Sequence, residues 1–213
     1  MAVRKTKFVN NYFYHIFNRG TDKRDIFLDH NDISRFFQSM NEFNVIDPIG
    51  SIYQNSFNLL RSKASKDKKL VNFVCYCLNP NHYHFILEQV VDSGIEKFMQ
   101  RLGTGYTKFF NHKHKRSGTL FQGKFKAVLI DSNEFLLHVS AYVNLNDKVH
   151  QLRSLNSKSS WDEYIKNNYN NYNFCKKDVI LDQFNNREEY KKFAEESLKD
   201  IIERKEMEKF LLE

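Results

Sequence analysis

VNFVCYCL (71–78), NPN (79–81) and HYHFILEQ (82–89) read as a strand, a tight turn and a returning strand. Aromatic and β-branched residues fill both runs, and Asn-Pro-Asn supplies the turn chemistry that joins antiparallel neighbours. Side chains alternate along a strand, so His82 and His84 share one face while Tyr83 and Phe85 take the other. Two imidazoles about 6 to 7 Å apart on a rigid sheet can hold one metal ion. Such a pair also occurs simply as polar residues on a wet sheet face. Cys75 and Cys77 share a face of the first strand and are expected in the core. A zinc site built from them with His82 and His84 has no familiar finger spacing.

Upstream, YFYHIF (12–17) is a third β-prone run, ended by Arg19-Gly20 and the polar Thr21-Asp22-Lys23. Asp29 to Asp32 offers caps for a helix carrying Ile33, Phe36, Phe37, Met40 and Phe43 at spacings of three and four. Residues 47–69 hold Pro48, Gly50 and a Ser- and Lys-rich stretch, an irregular excursion. Downstream, helical spacing runs over 94–112, a strand segment over 119–130, and a capped helix carries Leu136, Leu137, Val139, Tyr142 and Val143. The order β-α-β-β-α-β-α predicts an α+β fold, a ferredoxin-like split βαβ unit with an antiparallel sheet and an added helix. Beyond residue 150 the texture changes to a polar linker (154–160) and helices over 161–169, 179–184 and 188–212. The expected division is a main domain over 1–150 and a helical C-terminal appendage over 151–213.

Hydrophobic residues make up 41% of the 213, with only 7 Gly and 2 Pro, which excludes a disordered or low-complexity chain. No run approaches the roughly 18 apolar residues of a membrane helix, and the basic N-terminus is followed by no apolar signal core. Three cysteines in a chain this long fit reduced thiols, so a soluble, cytoplasmic protein with no membrane partner is expected. Net charge is +7, and its distribution is informative: from Arg101 to Ile130 there is no Asp or Glu. Arg101, Lys108, Lys113, Lys115, Arg116, Lys124 and Lys126 are interleaved there with Tyr106, Phe109, Phe110, Phe121 and Phe125. Cations for phosphates beside rings for bases suit a single-stranded nucleic-acid groove. Arg19, Lys108, Lys113, Lys115, Arg116, Lys124 and Lys126 are the candidate contacts. A solvated face over an ordinary core would have the same composition.

His138, Tyr142 and Asn146 follow at i, i+4 and i+8, one face of the last helix of the main domain. Tyr142 could be a nucleophile and Asn146 an oxygen ligand; Tyr142 could equally be a half-buried core aromatic. Joined to His82 and His84, they make a mechanism available. A divalent ion held by two His and an amide oxygen would polarise a phosphate, and Tyr142 would attack to give a 5′-phosphotyrosine and a free 3′-hydroxyl. The mixed N/O donor set suits Mg²⁺ or Mn²⁺.

The ordered stretches YHIFNRGTDKRDIF (14–27), FVCYCLNPNHYHFILE (73–88), YTKFFNHKHKRSGTLFQGKFKA (106–127) and FLLHVSAYVNLN (135–146) resemble the HUH single-tyrosine transposases of the insertion-sequence type. The REP-associated tyrosine transposase-like proteins are the nearest in pattern, and SSWDEYI (159–165) with FNNREEYKKF (184–193) extends the resemblance into the tail. The resemblance implies an HUH endonuclease fold, with His82 and His84 as the motif's histidines, Tyr142 as the catalytic tyrosine and Asn146 as the amide completing the metal site. It further implies single-stranded or hairpin DNA as substrate, and it admits a homodimer as well as a monomer. Lys124 stands where the family usually has arginine, keeping the charge but losing the bidentate fork. Asn146-Asp147 replaces the family's Asn-Pro, which predicts a different helix ending. The rival readings are a non-catalytic nucleic-acid-binding protein on the same scaffold and a replication-initiator or relaxase nuclease. Tyr106 is the alternative nucleophile should Tyr142 prove buried.

Overall fold

The computed structural model describes residues 6–56, 68–149, 157–166 and 174–210. Strands β1 (Phe13–Arg19), β2 (Val71–Asn79), β3 (His82–Gln89), β4 (Lys126–Ile130) and the two-residue β5 (Lys158–Ser159) form one antiparallel sheet in the order β4-β1-β3-β2-β5. The helices are α1 (His30–Glu42), α2 (Ile52–Ser56), α3 (Gly94–Lys113), α4 (Asn133–Asn144), α5 (Asn146–Val149), α6 (Trp161–Ile165), α7 (Asp178–Leu181) and α8 (Arg187–Phe210). The α+β architecture expected from the element order is the one observed. No helix among the described residues is long and apolar enough to cross a membrane.

Alternation along the central strands sorts side chains into two cores. Tyr14 and Ile16 of β1 and Tyr83, Phe85 and Leu87 of β3 face Ile33, Phe36 and Met40 of α1 and Ile95, Phe98, Leu102 and Tyr106 of α3. On the opposite face Ile86 lies with Val74, Cys75 and Cys77 of β2 under Leu136, Val139, Ala141 and Val143 of α4. Alternation would put Val74 and Cys75 on opposite faces. A register shift between Phe73 and Cys75 sends both to the second core, and regular alternation resumes with Tyr76 and Cys77. The same face carries His82 and His84, so the sheet presents the two imidazoles toward α4.

Tyr164 of α6, Ile180 of α7, and Tyr190 and Ala194 of α8 complete the second core. Their polar tips are satisfied at depth: the Tyr164 hydroxyl donates to the Val74 carbonyl at 2.7 Å, and Asn144 Nδ2 donates to the Tyr190 hydroxyl at 2.9 Å. Ser160 Oγ accepts from the Tyr76 amide at 2.9 Å and donates to Asn144 Oδ1 at 2.6 Å, tying β2 to the end of α4. The C-terminal helices thus brace α4, the helix that carries Tyr142.

The sequence-predicted strand over 119–130 is regular only from Lys126. An isolated bridge pairs Phe121 with Gly20, and Gly123 at φ +67° turns the chain before β4 begins. The excursion over 47–69 contains the short α2, with 57–67 outside the described residues. Of the helix expected over 161–169, Trp161–Ile165 is observed and the stretch from 167 lies outside the described residues, as do 211–212 of the last helix.

One buried ion cluster pins α1 to the end of α3. Asp32 is fully buried; it accepts from the Leu28 amide at 2.9 Å, from Lys113 Nζ at 2.7 Å and from His114 Nε2 at 3.0 Å. Lys113 also reaches the N-cap residue Asp29 at 2.6 Å. Asp32→Asn removes the buried carboxylate that Leu28, Lys113 and His114 share, while Asp29 still holds Lys113. The substitution is expected to destabilise the fold by about 2 kcal/mol, read as a lowered urea midpoint; an unchanged midpoint would contradict this account.

Candidate active site

β3 begins immediately after the Asn79-Pro80-Asn81 turn, so His82 stands at the sheet's edge and His84 one pleat deeper. The rings lie 5.2 Å apart, nearly perpendicular. His82 Nδ1 sits 2.6 Å from Asn81 Oδ1, an atom that only accepts, so Nδ1 carries the proton and Nε2 keeps its lone pair. That Nε2 is 3.0 Å from Asn146 Oδ1. His84 Nδ1 lies 2.9 Å from Nε2 of His15 on β1. Burial lowers the His15 pKa to about 4, so at neutral pH it is an uncharged ring able to accept from His84. A proton on His84 Nδ1 leaves the other nitrogen of His84 available to a cation.

α4 brings Tyr142 against this pair, its ring 5.5 Å from that of His84 and 6.0 Å from that of His15, edge-on to both. The tyrosine is half-buried. Burial pushes its hydroxyl up in pKa, and the nearby Asn146 amide offsets this only in part. Asn146 Nδ2 itself is buried and has no hydrogen-bond partner among the described residues. Asn146 is not on α4 itself. The helix ends at Asn144, Leu145 caps it, and Asn146 opens the one-turn α5. That break turns the Asn146 amide so that Oδ1 points to His82. His138, expected on the same face, is exposed and turned to α8, against the Phe193 ring and Ser197.

Two imidazoles and an amide oxygen thus converge, with the lone pairs of His82 Nε2 and Asn146 Oδ1 3.0 Å apart. The Asn79 amide nitrogen donates to both acceptors, at 3.0 Å and 2.7 Å, in the position a cation would take, and a nitrogen-oxygen donor set of this kind fits a divalent ion. The thiols do not join in. Cys75 and Cys77 are fully buried in the second core, where burial pushes both well above their ordinary pKa. Among the described residues no three or more His, Cys, Asp or Glu side chains gather as a metal cluster.

A cleft of about 730 Å³ opens over the two histidines, lined by Phe17, Asn18, Arg19, Lys23, Asn81, Gln122 and Lys126. Arg19 is exposed and hydrogen-bonded through Nε to Gln122, and Lys126 lies 5.9 Å over the Phe17 ring. Lys124 is exposed at a second groove of about 800 Å³ between α3 and the 118–125 segment, which Lys108, Phe121 and Phe125 also line. The other expected cations stand elsewhere. Lys113 is held by Asp29 and Asp32 in the ion cluster. Arg116 bonds Asn111 Oδ1 and the Thr119 carbonyl and covers Phe110, bracing a turn. Lys115 is exposed at φ 49° on that same turn. Tyr106 is fully buried, with its hydroxyl donating to the Ile26 carbonyl at 2.6 Å and burial raising its pKa. That removes it as an alternative nucleophile.

His15, Asn79, Asn81 and Lys23 escaped the sequence reading. The signal for His15 was its odd position in the first strand, shared with Phe13 and Phe17, which antiparallel pairing brings to the His84 face.

Residues 49–146 match the family model described as "Transposase IS200 like", a stretch that contains His82, His84, Tyr142 and Asn146. The resemblance read from the sequence is shown over that stretch. A solved structure described as "Structure of the REP associates tyrosine transposase bound to a REP hairpin" aligns with a TM-score of 0.50 at 11% identity, covering 78% of this chain and 86% of that one. At that identity the likeness shows a shared fold. No curated protein matches the chain.

Proposed function

We propose that this chain, matched to the IS200-like transposases, cuts and rejoins single-stranded, hairpin-associated DNA through Tyr142 with a divalent ion, Mg²⁺ or Mn²⁺. One observation carries the reading. Tyr142 packs edge-on against His84, and the Asn146 oxygen meets His82 Nε2 at 3.0 Å. His82, His84 and Asn146 would hold the ion. When bound, it polarises the scissile phosphate and neutralises developing charge.

The chain's own groups perform the rest. Arg19, Lys23 and Lys126 line the cleft over the histidines and draw the phosphate backbone into it. The ring contacts with His15 and His84 hold Tyr142 in place, burial keeps its hydroxyl protonated until it attacks, and its proton passes to the departing 3′ oxygen. The tyrosine oxygen then forms a bond to phosphorus as the bond to the 3′ oxygen breaks. The products are a 5′-phosphotyrosine and a free 3′-hydroxyl. The ester retains the free energy of the phosphodiester, so a second 3′-hydroxyl reverses the step and joins strands without ATP. Such work belongs with nucleoid DNA in the cytoplasm.

The reading is tested by incubating labelled single-stranded hairpin DNA from the gene's own flanks with the protein and Mn²⁺ or Mg²⁺. Metal-dependent nicking at one position is expected; tight binding with no nicking under either ion would leave a binding protein on this scaffold. Phosphate contacts have their own signature. Lys124→Gln and Lys126→Gln should each flatten the salt dependence of DNA affinity by about 0.7 in log-log slope. Lys113→Gln should lower stability and leave that slope unchanged, since its ammonium is already held by two carboxylates.

A further inference from the structure

We propose that Asn79 is a further ligand of the divalent ion, giving its side-chain oxygen beside His82 Nε2 and Asn146 Oδ1. The inference rests on the metal reading above and extends it to a residue outside the His-x-His motif and the tyrosine helix. Asn79 ends β2 and is fully buried. Its amide nitrogen lies 3.0 Å from His82 Nε2 and 2.7 Å from Asn146 Oδ1, which are themselves 3.0 Å apart. The three atoms make a nearly equilateral triangle. One face of an octahedron with bonds of about 2.1 Å has edges of about 3.0 Å.

A carboxamide has nearly the same shape in either orientation, and its hydrogen-bond partners select between them. With nitrogen inward, its two hydrogens serve His82 Nε2 and Asn146 Oδ1 together, and Oδ1 accepts from the Cys77 thiol at 3.6 Å. Turned by half a rotation, the amide puts Oδ1 at the same vertex. Three acceptors then face one point, an arrangement that a cation stabilises. The turn gives up little on the outer side, because a thiol is a weak donor and also a weak acceptor. In this account Asn79 holds the two ligands in register with its N–H groups and turns its oxygen to the ion on binding.

The substitution Asn79→Asp separates a ligand from a hydrogen-bonding clamp. A carboxylate cannot donate, so a mere clamp would be lost and Mn²⁺ binding would weaken. A ligand would gain a charge, and binding would tighten. Mn²⁺ affinity of the full chain, measured by electron paramagnetic resonance of the free ion, is expected to rise at least tenfold in Asn79→Asp and to fall at least tenfold in Asn79→Ala. Without Mn²⁺, Asn79→Asp should melt below wild type, with Mn²⁺ raising its melting temperature by more than it raises that of wild type. A folded Asn79→Asp that binds Mn²⁺ no better than wild type overturns the assignment, as does an Asn79→Ala affinity equal to wild type; should one variant not fold, the other decides. Wild-type Mn²⁺ binding that survives His82→Ala would instead overturn the metal reading itself.

Discussion

Tyr142→Phe is expected to abolish the covalent protein–DNA adduct, lowering its rate of formation by more than about 1,000-fold while leaving DNA affinity and melting temperature near wild type. The size of the effect follows from what is removed. Phenylalanine keeps the ring that packs on His15 and His84 and deletes only the oxygen that would become bonded to phosphorus. Residual nicking by water would yield a free 5′-phosphate and no adduct, so denaturing gels distinguish the two. Tyr106→Phe is the matched control. Its hydroxyl is committed to the Ile26 carbonyl in the first core, so the substitution should cost about 1 kcal/mol of stability and leave the adduct intact. Adduct formation surviving in Tyr142→Phe and disappearing in Tyr106→Phe would reverse the assignment.

His82→Ala and His84→Ala should each reduce Mn²⁺-dependent cleavage by more than about 100-fold, with Mn²⁺ affinity falling in parallel. Their neighbours differ, so their side effects should differ. His82 donates to Asn81 and accepts from Asn79 at the open end of the strand, where water can take over its hydrogen bonds. His84 is buried between Phe17, His15 and Tyr142, so its truncation also leaves a gap under the nucleophile. DNA affinity should persist in both, because the basic residues of the cleft are untouched. Equal cleavage by wild type and either variant in Mn²⁺ would remove the histidines from the chemistry.

The sheet and the helices packed on both its faces were legible in the sequence because each is written in period. HYHFILEQ is a β-prone run set off by a tight turn, and α1 and α3 repeat apolar residues at three and four. The site was legible where it rides on those periods. His82 and His84 share a face by alternation, and Tyr142 points to them because α4 buries its other side. Asn146 was read through a helix that in fact breaks at Leu145; the residue reaches the site because of the break, which spacing alone does not encode. Asn79 and Asn81 read as turn formers, and their backbone does form the turn, but which way their amides point depends on His82 and on a helix nearly seventy residues away. Lys113 shows the opposite error. Its basic neighbourhood is local in sequence, whereas the carboxylates that hold it come from the start of α1. Charge runs report composition, and long-range pairing decides which cations stay free.

The central claim is that Tyr142 itself becomes joined to DNA. Trypsin cleaves after Lys126 and Lys148 and nowhere between, so Tyr142 falls on the single peptide 127–148. The most direct measurement is mass spectrometry of that digest after wild-type protein has reacted with hairpin DNA in Mn²⁺ and the DNA has been trimmed by nuclease. The account predicts a nucleotide adduct on peptide 127–148, with fragmentation locating it at Tyr142 through a 5′ phosphate. A nucleotide on any other peptide, or cleaved DNA with peptide 127–148 unmodified throughout the reaction, would contradict it.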